Sequence, residues 1–187
     1  MKQFDDWVRS GIHQFASPAM TFVMRVVTMS GSAVVLFSLS LIVALAFFAK
    51  KKYRALILFV ATMAGSSLLN MVLKLSFHRT RPLPFFDTEV PTSFSFPSGH
   101  ALMSFCFYSS MAALISARSN SRTFRSVVWV VAALLIAAVG VSRIYLGVHY
   151  PSDVIAGYAA AFIWVMCIVV VDRAIPRKDV EVTRSTD

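Results

Sequence analysis

The sequence predicts an all-α fold: a polytopic membrane helix bundle of about five transmembrane helices, with an N-terminal interfacial amphipathic helix. Three observations carry that reading. Of 187 residues, 57% are hydrophobic and only 14% are charged, whereas soluble domains are about half apolar and about a quarter charged. The mean hydropathy is +0.70. Five apolar stretches, at 32–49, 55–77, 98–117, 127–147 and 152–175, approach the roughly 20 residues with which a helix crosses a bilayer.

The elements follow in order. In the first thirty residues, Phe4, Trp7, Val8, Ile12 and Phe15 recur at helical spacing, opposite Asp5, Asp6, Arg9 and His13. That is an amphipathic helix, broken by Pro18 and expected to lie in the outer interface. A sixth crossing through 15–31 would have to bury Arg25. The opening "MKQFDDWVRSG" has acidic residues where a cleavable signal carries basic ones. One integral-membrane domain is expected over 1–187: an interfacial region at 1–31, the bundle at 32–175 and a cytoplasmic tail at 176–187. The connections between the first and second spans, between the third and fourth, and after the fifth hold eleven of the eighteen Lys and Arg residues. They are Lys50, Lys51, Lys52, Arg54, Arg118, Arg122, Arg125, Arg173, Arg177, Lys178 and Arg184. With five crossings these share one side, which the positive-inside rule makes cytoplasmic. The net charge of +9 therefore belongs to membrane topology, and no nucleic-acid partner is expected. Cys106 and Cys167 lie in apolar stretches without metal-type spacing and read as packing residues.

The remaining polar residues gather at the opposite, outer end. Lys74 and Arg81 are seven apart and share a face if the second span continues that far, with Pro82 ending it. Arg79 fits no such pattern and is expected to reach toward lipid headgroups. In "PSGH", Ser98 is a good N-cap, Gly99 lets another group approach the backbone, and His100 follows at the mouth of the third span. A helix N-terminus with free N–H groups suits an anion. In "SRIYLGVHYPSD", His149 and Asp153 are four apart around Pro151, which suits the first turn of a helix. A carboxylate at that offset can fix the imidazole tautomer and leave the other ring nitrogen as nucleophile or base. Arg143 can reach the same point through the turn at Gly147. Singly, each of these has a plain structural explanation. Together at one end, three cations, a helix N-terminus and two histidines are the inventory for phosphoryl transfer.

Read as K-x6-RP (Lys74, Arg81, Pro82), PSGH (Pro97 to His100) and SR-x5-H-x3-D (Ser142, Arg143, His149, Asp153), the ordered set resembles the type 2 phosphatidic acid phosphatases. That family shares its site with the vanadium haloperoxidases. The resemblance spans residues 74 to 153. It implies His149 as the nucleophile that takes the phosphoryl group, Asp153 as its orienting partner and His100 as the acid for the leaving alkoxide. Lys74, Arg81, Arg143, the Ser98 hydroxyl and the Gly99 N–H would hold the phosphate oxygens. No metal or other cofactor is implied. Family members commonly have six spans, and this chain is expected to begin at the interfacial helix instead.

The expected function is a metal-independent lipid phosphatase of the bacterial inner membrane, with its site facing the periplasm or exterior and its C-terminus cytoplasmic. Its partners would be membrane lipids and an anionic phospholipid or isoprenoid phosphate. Undecaprenyl pyrophosphate ranks first by analogy, ahead of phosphatidylglycerophosphate, phosphatidic acid and lipid A phosphate. Two other classes compete with it. An anionic-lipid binding or transport protein has no use for an oriented imidazole. A metallohydrolase built on His78, His100, His149 and Asp153 would set cations beside its metal. The loop "LPFFDTEVPTSFSF" is expected to cover the site and to dip Phe85, Phe86, Phe94 and Phe96 into the outer leaflet.

Overall fold

Serine and proline punctuate this chain where its helices begin. The hydroxyl of Ser17 accepts the N–H of Met20 (3.2 Å), that of Ser32 the N–H of Val35 (3.4 Å), and that of Ser121 the N–H of Phe124 (3.3 Å), each satisfying a donor left free by the first helical turn. Pro18 and Pro151 stand at the first positions of their helices, where the missing N–H is no loss. In the computed structural model, residues 1–86 and 92–175 are described. They form seven helices: α1 (Lys2–His13), α2 (Pro18–Ser30), α3 (Ala33–Ala49), α4 (Tyr53–Phe77), α5 (Gly99–Ser116), α6 (Arg122–Tyr145) and α7 (Pro151–Ala174). No strand occurs among the described residues. Arg177, Lys178 and Arg184 of the expected tail, and Asp87 and Glu89 of the covering loop, lie outside them.

Among the described residues, four segments are long and apolar enough to cross a membrane: 18–49, which joins α2 and α3 through a break at Gly31 and Ser32, then α4, α6 and α7. Residues 1–31 thus hold two helices, and the second runs on into the first apolar stretch. α5 is the exception that its position explains. It sits centrally against α3, α4, α6 and α7 and buries Leu102, Cys106 and Phe107. It needs no lipid-facing apolar coat, and its sequence carries serines instead. Their hydroxyls bond back to their own helix, Ser104 to the Ala101 carbonyl (3.2 Å) and Ser110 to that of Cys106 (2.7 Å), so no polar group is left bare.

Lipid tails are as apolar as leucine, so close packing and interhelical hydrogen bonds hold such a bundle together more than a hydrophobic drive. Gly157 of α7 lets that helix approach the start of α5: a Cβ there would stand 2.8 Å from the Ser98 carbonyl oxygen. Trp164 donates to the Thr62 carbonyl (3.1 Å), Tyr158 to that of Ile136 (2.6 Å) and Tyr108 to that of Ser30 (3.0 Å). These bonds tie α7 to α4 and α6, and α5 to α2. Around them a rim of exposed apolar side chains, including Val34, Ile42, Leu134 and Val170, provides the outer coat of a membrane protein.

The polarity of α1 is inverted relative to a helix on a soluble domain. Trp7 is 76% exposed and Phe15 is 75% exposed, while Asp5 is fully buried. Arg9 and His13 also turn toward the bundle, where Arg9 donates to the Leu83 carbonyl (2.8 Å) and His13 stacks on Phe85 at 4.1 Å. The expected helix is present, and its polar face is the docking face. At the other end of the bundle, Arg54 at the start of α4 pairs with Asp172 at the end of α7 (2.7 Å). The connections carrying Lys50 to Lys52 and Arg118 to Arg122 lie at that end too, since α3 and α5 descend to it and α4 and α6 rise from it.

Candidate functional site

The candidate residues converge at the end of the bundle away from those basic connections. α4 brings Lys74 in its last turn, α5 brings Gly99 and His100 in its first, α6 brings Arg143 in its last, and α7 brings Asp153 in its first. Arg81 arrives differently from the expectation. α4 stops at Phe77, and His78 closes it in the left-handed conformation, φ 48°. An extended segment then carries Arg81 back over the helix ends, so loop geometry and not a shared helical face sets Arg81 beside Lys74. Gly147, φ +75°, makes the matching turn before His149. A Cβ on it would stand 2.6 Å from the Phe85 nitrogen, so both conformation and crowding call for glycine there.

Lys74, Arg81, Gly99, His100, Arg143 and His149 border one cavity of about 180 Å³, together with Gly31, Ala33, Asn70, Ser93 and Met103. Among the described residues no carboxylate borders it. Three cations and the N-terminus of α5 therefore give it a strongly anion-attracting field. Each cation is braced. Lys74 donates to the Phe94 carbonyl, and Arg143 to the Thr28 hydroxyl (2.8 Å). Arg81 donates to the carbonyls of Ser93 (2.8 Å) and Val148 (2.9 Å).

The imidazole of His149 is hydrogen-bonded at one nitrogen and faces a carboxylate with the other. Arg81 Nη1 stands 3.1 Å from Nε2, and a guanidinium can only donate, so Nε2 is the lone-pair nitrogen and Nδ1 carries the proton. Nδ1 faces Asp153 Oδ2 at 3.4 Å, an ion-pair distance longer than a short hydrogen bond. That oxygen already accepts the Tyr150 N–H (2.9 Å) and the Ser95 hydroxyl. Burial pushes the His149 pKa down to about 4, with Arg81 and Arg143 adding to the shift and Asp153 opposing it. The ring is neutral at pH 7. Burial also lowers Arg81 from its ordinary value, against the pull of Asp153.

Two of the eight candidates stand outside the cavity lining. Asp153 lies behind His149, fully buried. Ser98 is also fully buried. It caps α5 by accepting the Ala101 N–H (3.5 Å), and its own N–H donates to the Asp153 carbonyl (3.0 Å). Arg79 corrects the reading from sequence. It does not reach for headgroups but bridges two carboxylates, Asp153 Oδ1 at 2.7 Å and Asp5 Oδ2 at 2.8 Å, with its guanidinium 4.1 Å over the Tyr150 ring. Burial works against its charge, but the two carboxylates hold its pKa above the ordinary value. The covering-loop aromatics are packed on protein as well: Phe86 on Tyr145, Phe94 on His78 and Phe96 on Phe77. No cluster of three or more His, Cys, Asp or Glu residues of metal-site dimensions occurs among the described residues.

A bundle of membrane-length helices thus closes one end over a cavity suited to an anion, with a histidine–aspartate pair at its wall. Comparison with known proteins identifies the family. The model of the PAP2 superfamily matches residues 55–176, and the chain belongs to that superfamily. It is 31% identical over 161 residues to phosphatidylglycerophosphatase B of Bacillus subtilis, covering 86% of this chain and 79% of that one. An undecaprenyl-diphosphatase of Sulfolobus acidocaldarius is 37% identical over 68 residues, 36% of this chain and 29% of that one. The fold matches the crystal structure of a transmembrane PAP2-type phosphatidylglycerolphosphate phosphatase from Bacillus subtilis with a TM-score of 0.83. The identity there is 28%, over 95% of this chain and 89% of the other. The protein is a PAP2-type membrane lipid phosphatase.

Proposed function

We propose that the enzyme removes phosphate from phosphatidylglycerophosphate through a phosphohistidine on His149, without a metal, at the periplasmic or outer face of a bacterial inner membrane. The C-terminus is then cytoplasmic. The observation that supports the chemistry is the placement of His149 between Arg81 at Nε2 and Asp153 at Nδ1, which leaves Nε2 as the unprotonated nitrogen because a guanidinium can only donate. Nε2 attacks phosphorus and the bond to the lipid oxygen breaks. His100 gives that oxygen a proton, and Asp153 supports the positive charge that develops on His149. Lys74, Arg81 and Arg143 hold the equatorial oxygens, where charge accumulates in the transition state, with the Gly99 N–H beside them, while the Ser98 hydroxyl caps α5 behind the cavity. Water then attacks phosphorus, giving its proton to His100, and the N–P bond breaks to release inorganic phosphate.

The substrate order rests on the relatives. The one that aligns over most of this chain is named a phosphatidylglycerophosphatase. Undecaprenyl pyrophosphate, ranked first from sequence alone, is the second reading and is supported by the shorter similarity to a diphosphatase. The test is phosphate release by the purified protein from each lipid in EDTA, beside His149→Ala. Phosphatidylglycerophosphate is expected to turn over faster, and the variant to lose at least about a thousandfold in rate, as loss of a nucleophile does. Faster release from the isoprenoid would reverse the substrate order. Turnover by His149→Ala would overturn the chemistry.

A further inference from the structure

Behind the cavity lies a charged chain that the phosphate-holding residues do not use. Asp5 of α1 is fully buried. Its Oδ1 accepts the Ser152 N–H (2.9 Å), and its Oδ2 accepts the Ser152 hydroxyl (2.7 Å) and Arg79 Nη2 (2.8 Å). Arg79 Nη1 in turn donates to Asp153 Oδ1 (2.7 Å) and to the Ser152 hydroxyl (2.7 Å). Both partners of Arg79 are buried carboxylates, and its planar fork reaches them through separate nitrogens. A buried charge held this way is expensive to leave unpaired. The chain is thus a unit: removing any member exposes the others to an uncompensated charge.

We infer that Asp5 and Arg79 are positioning residues for the reaction, acting through Asp153 on His149, and that α1 is the element that delivers Asp5. The inference rests on the proposed role of His149. Its geometric content is that Asp153 spends Oδ1 on Arg79 and Oδ2 on Tyr150 and Ser95, so its plane and its height above the imidazole are set from behind. Its electrostatic content is that Asp5 shares the charge of Arg79. With Asp5 present, Arg79 neutralises Asp153 only in part, and Asp153 keeps negative charge for the imidazolium that forms. The charged and titratable groups around His149 are Arg143 from α6, Lys74 from α4, His100 from α5 and Arg81 from the connecting segment, which line the cavity with it, and Asp153 from α7, with Arg79 and Asp5 behind Asp153.

Two variants separate positioning from mere support of the fold. Asp5→Asn keeps the shape but frees Arg79 to neutralise Asp153, so the acid limb of kcat/KM moves down. Arg79→Gln leaves Asp153 beside a second carboxylate, so that limb moves up. The expected displacement is about half a unit in each direction. Both variants are expected to lose about 10- to 100-fold in kcat, the scale seen when the partner of a reacting group's own partner is removed, with KM within about twofold because no phosphate contact is lost. The substrate is whichever lipid phosphate the wild type turns over in the preceding assay, and His149→Ala is run beside them. Limbs that stay in place, or that move in the same direction, overturn the inference while an inactive His149→Ala keeps the mechanism. Activity in His149→Ala overturns both. Should Asp5→Asn fail to fold, Arg79→Lys carries the same test. It keeps the charge but cannot bridge both carboxylates, so wild-type kcat in that variant would sink the proposal.

Discussion

His149 sits where two demands meet. As the proposed nucleophile it must be neutral before it attacks, and burial among cations keeps it so, with a pKa near 4 against about 6.5 for a free imidazole. The sign of the consequence is fixed. Above the folded value the ring is ready, so kcat/KM is expected to stay flat from pH 7 to about pH 5 and to fall only below that; a limb at 6.5 in a pH–rate profile would contradict it. Stability follows the same linkage. The unfolded chain protonates His149 at about 6.5, while the folded chain does so near 4. Between those values the unfolded state binds the extra proton, and up to about 3 kcal/mol of stability is lost as pH falls through the window. Denaturation in detergent across pH 7 to 4 measures it, and His149→Gln should flatten that dependence.

Sequence legibility at this scale had a physical limit. Lys74, Arg81, His100, Arg143, His149 and Asp153 carry their signal in local spacing, and all six meet at the site. Asn70 also borders the cavity and was missed, although it stands four residues before Lys74 in an otherwise apolar stretch and so on the same helical face. Arg79 and Asp5 offered no such cue. Their partnership spans 74 residues, and no period within one helix encodes it.

Among the elements, α5 and α7 are the pair on which the site depends. Asp153 and His100 stand on their facing N-termini, and Gly157 sets the closeness of approach. Gly157→Ala places a methyl against the Ser98 carbonyl and the Ala101 side chain, and a carbonyl on a helix axis does not step aside. The variant is expected to lose about 1–3 kcal/mol, the usual cost of overpacking, and to lower kcat by shifting His100 relative to His149. Gly11→Ala is the control. A Cβ there meets nothing within 4 Å, and alanine in a helix interior stabilises by up to about 1 kcal/mol. Thermal unfolding of both variants in detergent checks the contrast. The boundaries of these helices were nearly legible, 98–117 against Gly99–Ser116 and 152–175 against Pro151–Ala174, because caps and apolar length mark them. The apolar stretch 55–77 likewise ends with α4 at Phe77, but a helical continuation carrying Arg81 as far as Pro82 does not form. Only the left-handed His78 stops that helix four residues before Pro82, and nothing in its side chain announces the turn.

The whole molecule is polarised end to end. The cavity lies at one end, and the connections that hold Lys50 to Lys52 and Arg118 to Arg122 lie at the other, sealed by the Arg54–Asp172 pair. Charge asymmetry in the sequence anticipated that separation, since alternating spans put every second connection on the same side. It also leads to an expected labelling pattern. In a background lacking Cys106 and Cys167, single cysteines at Lys51 and Ser119 are expected to react with a membrane-impermeant maleimide from the same side of inverted vesicles. Cysteines at Lys2 and Leu83 are expected to react only from the opposite side. Labelling of Lys2 and Lys51 positions from one side would contradict the proposed orientation.

The bond between Arg81 and Nε2 of His149 has a bearing on selectivity. While Arg81 donates to that nitrogen, the lone pair that would attack is occupied. On the proposed mechanism, a ligand with anionic oxygens would draw the guanidinium to itself and uncover the nitrogen in the same movement. A neutral phosphotriester offers Arg81 no such exchange and meets a blocked nucleophile. In this arrangement the residue proposed to hold the phosphate also covers the nitrogen proposed to attack it, so recognition and attack are linked through one hydrogen bond.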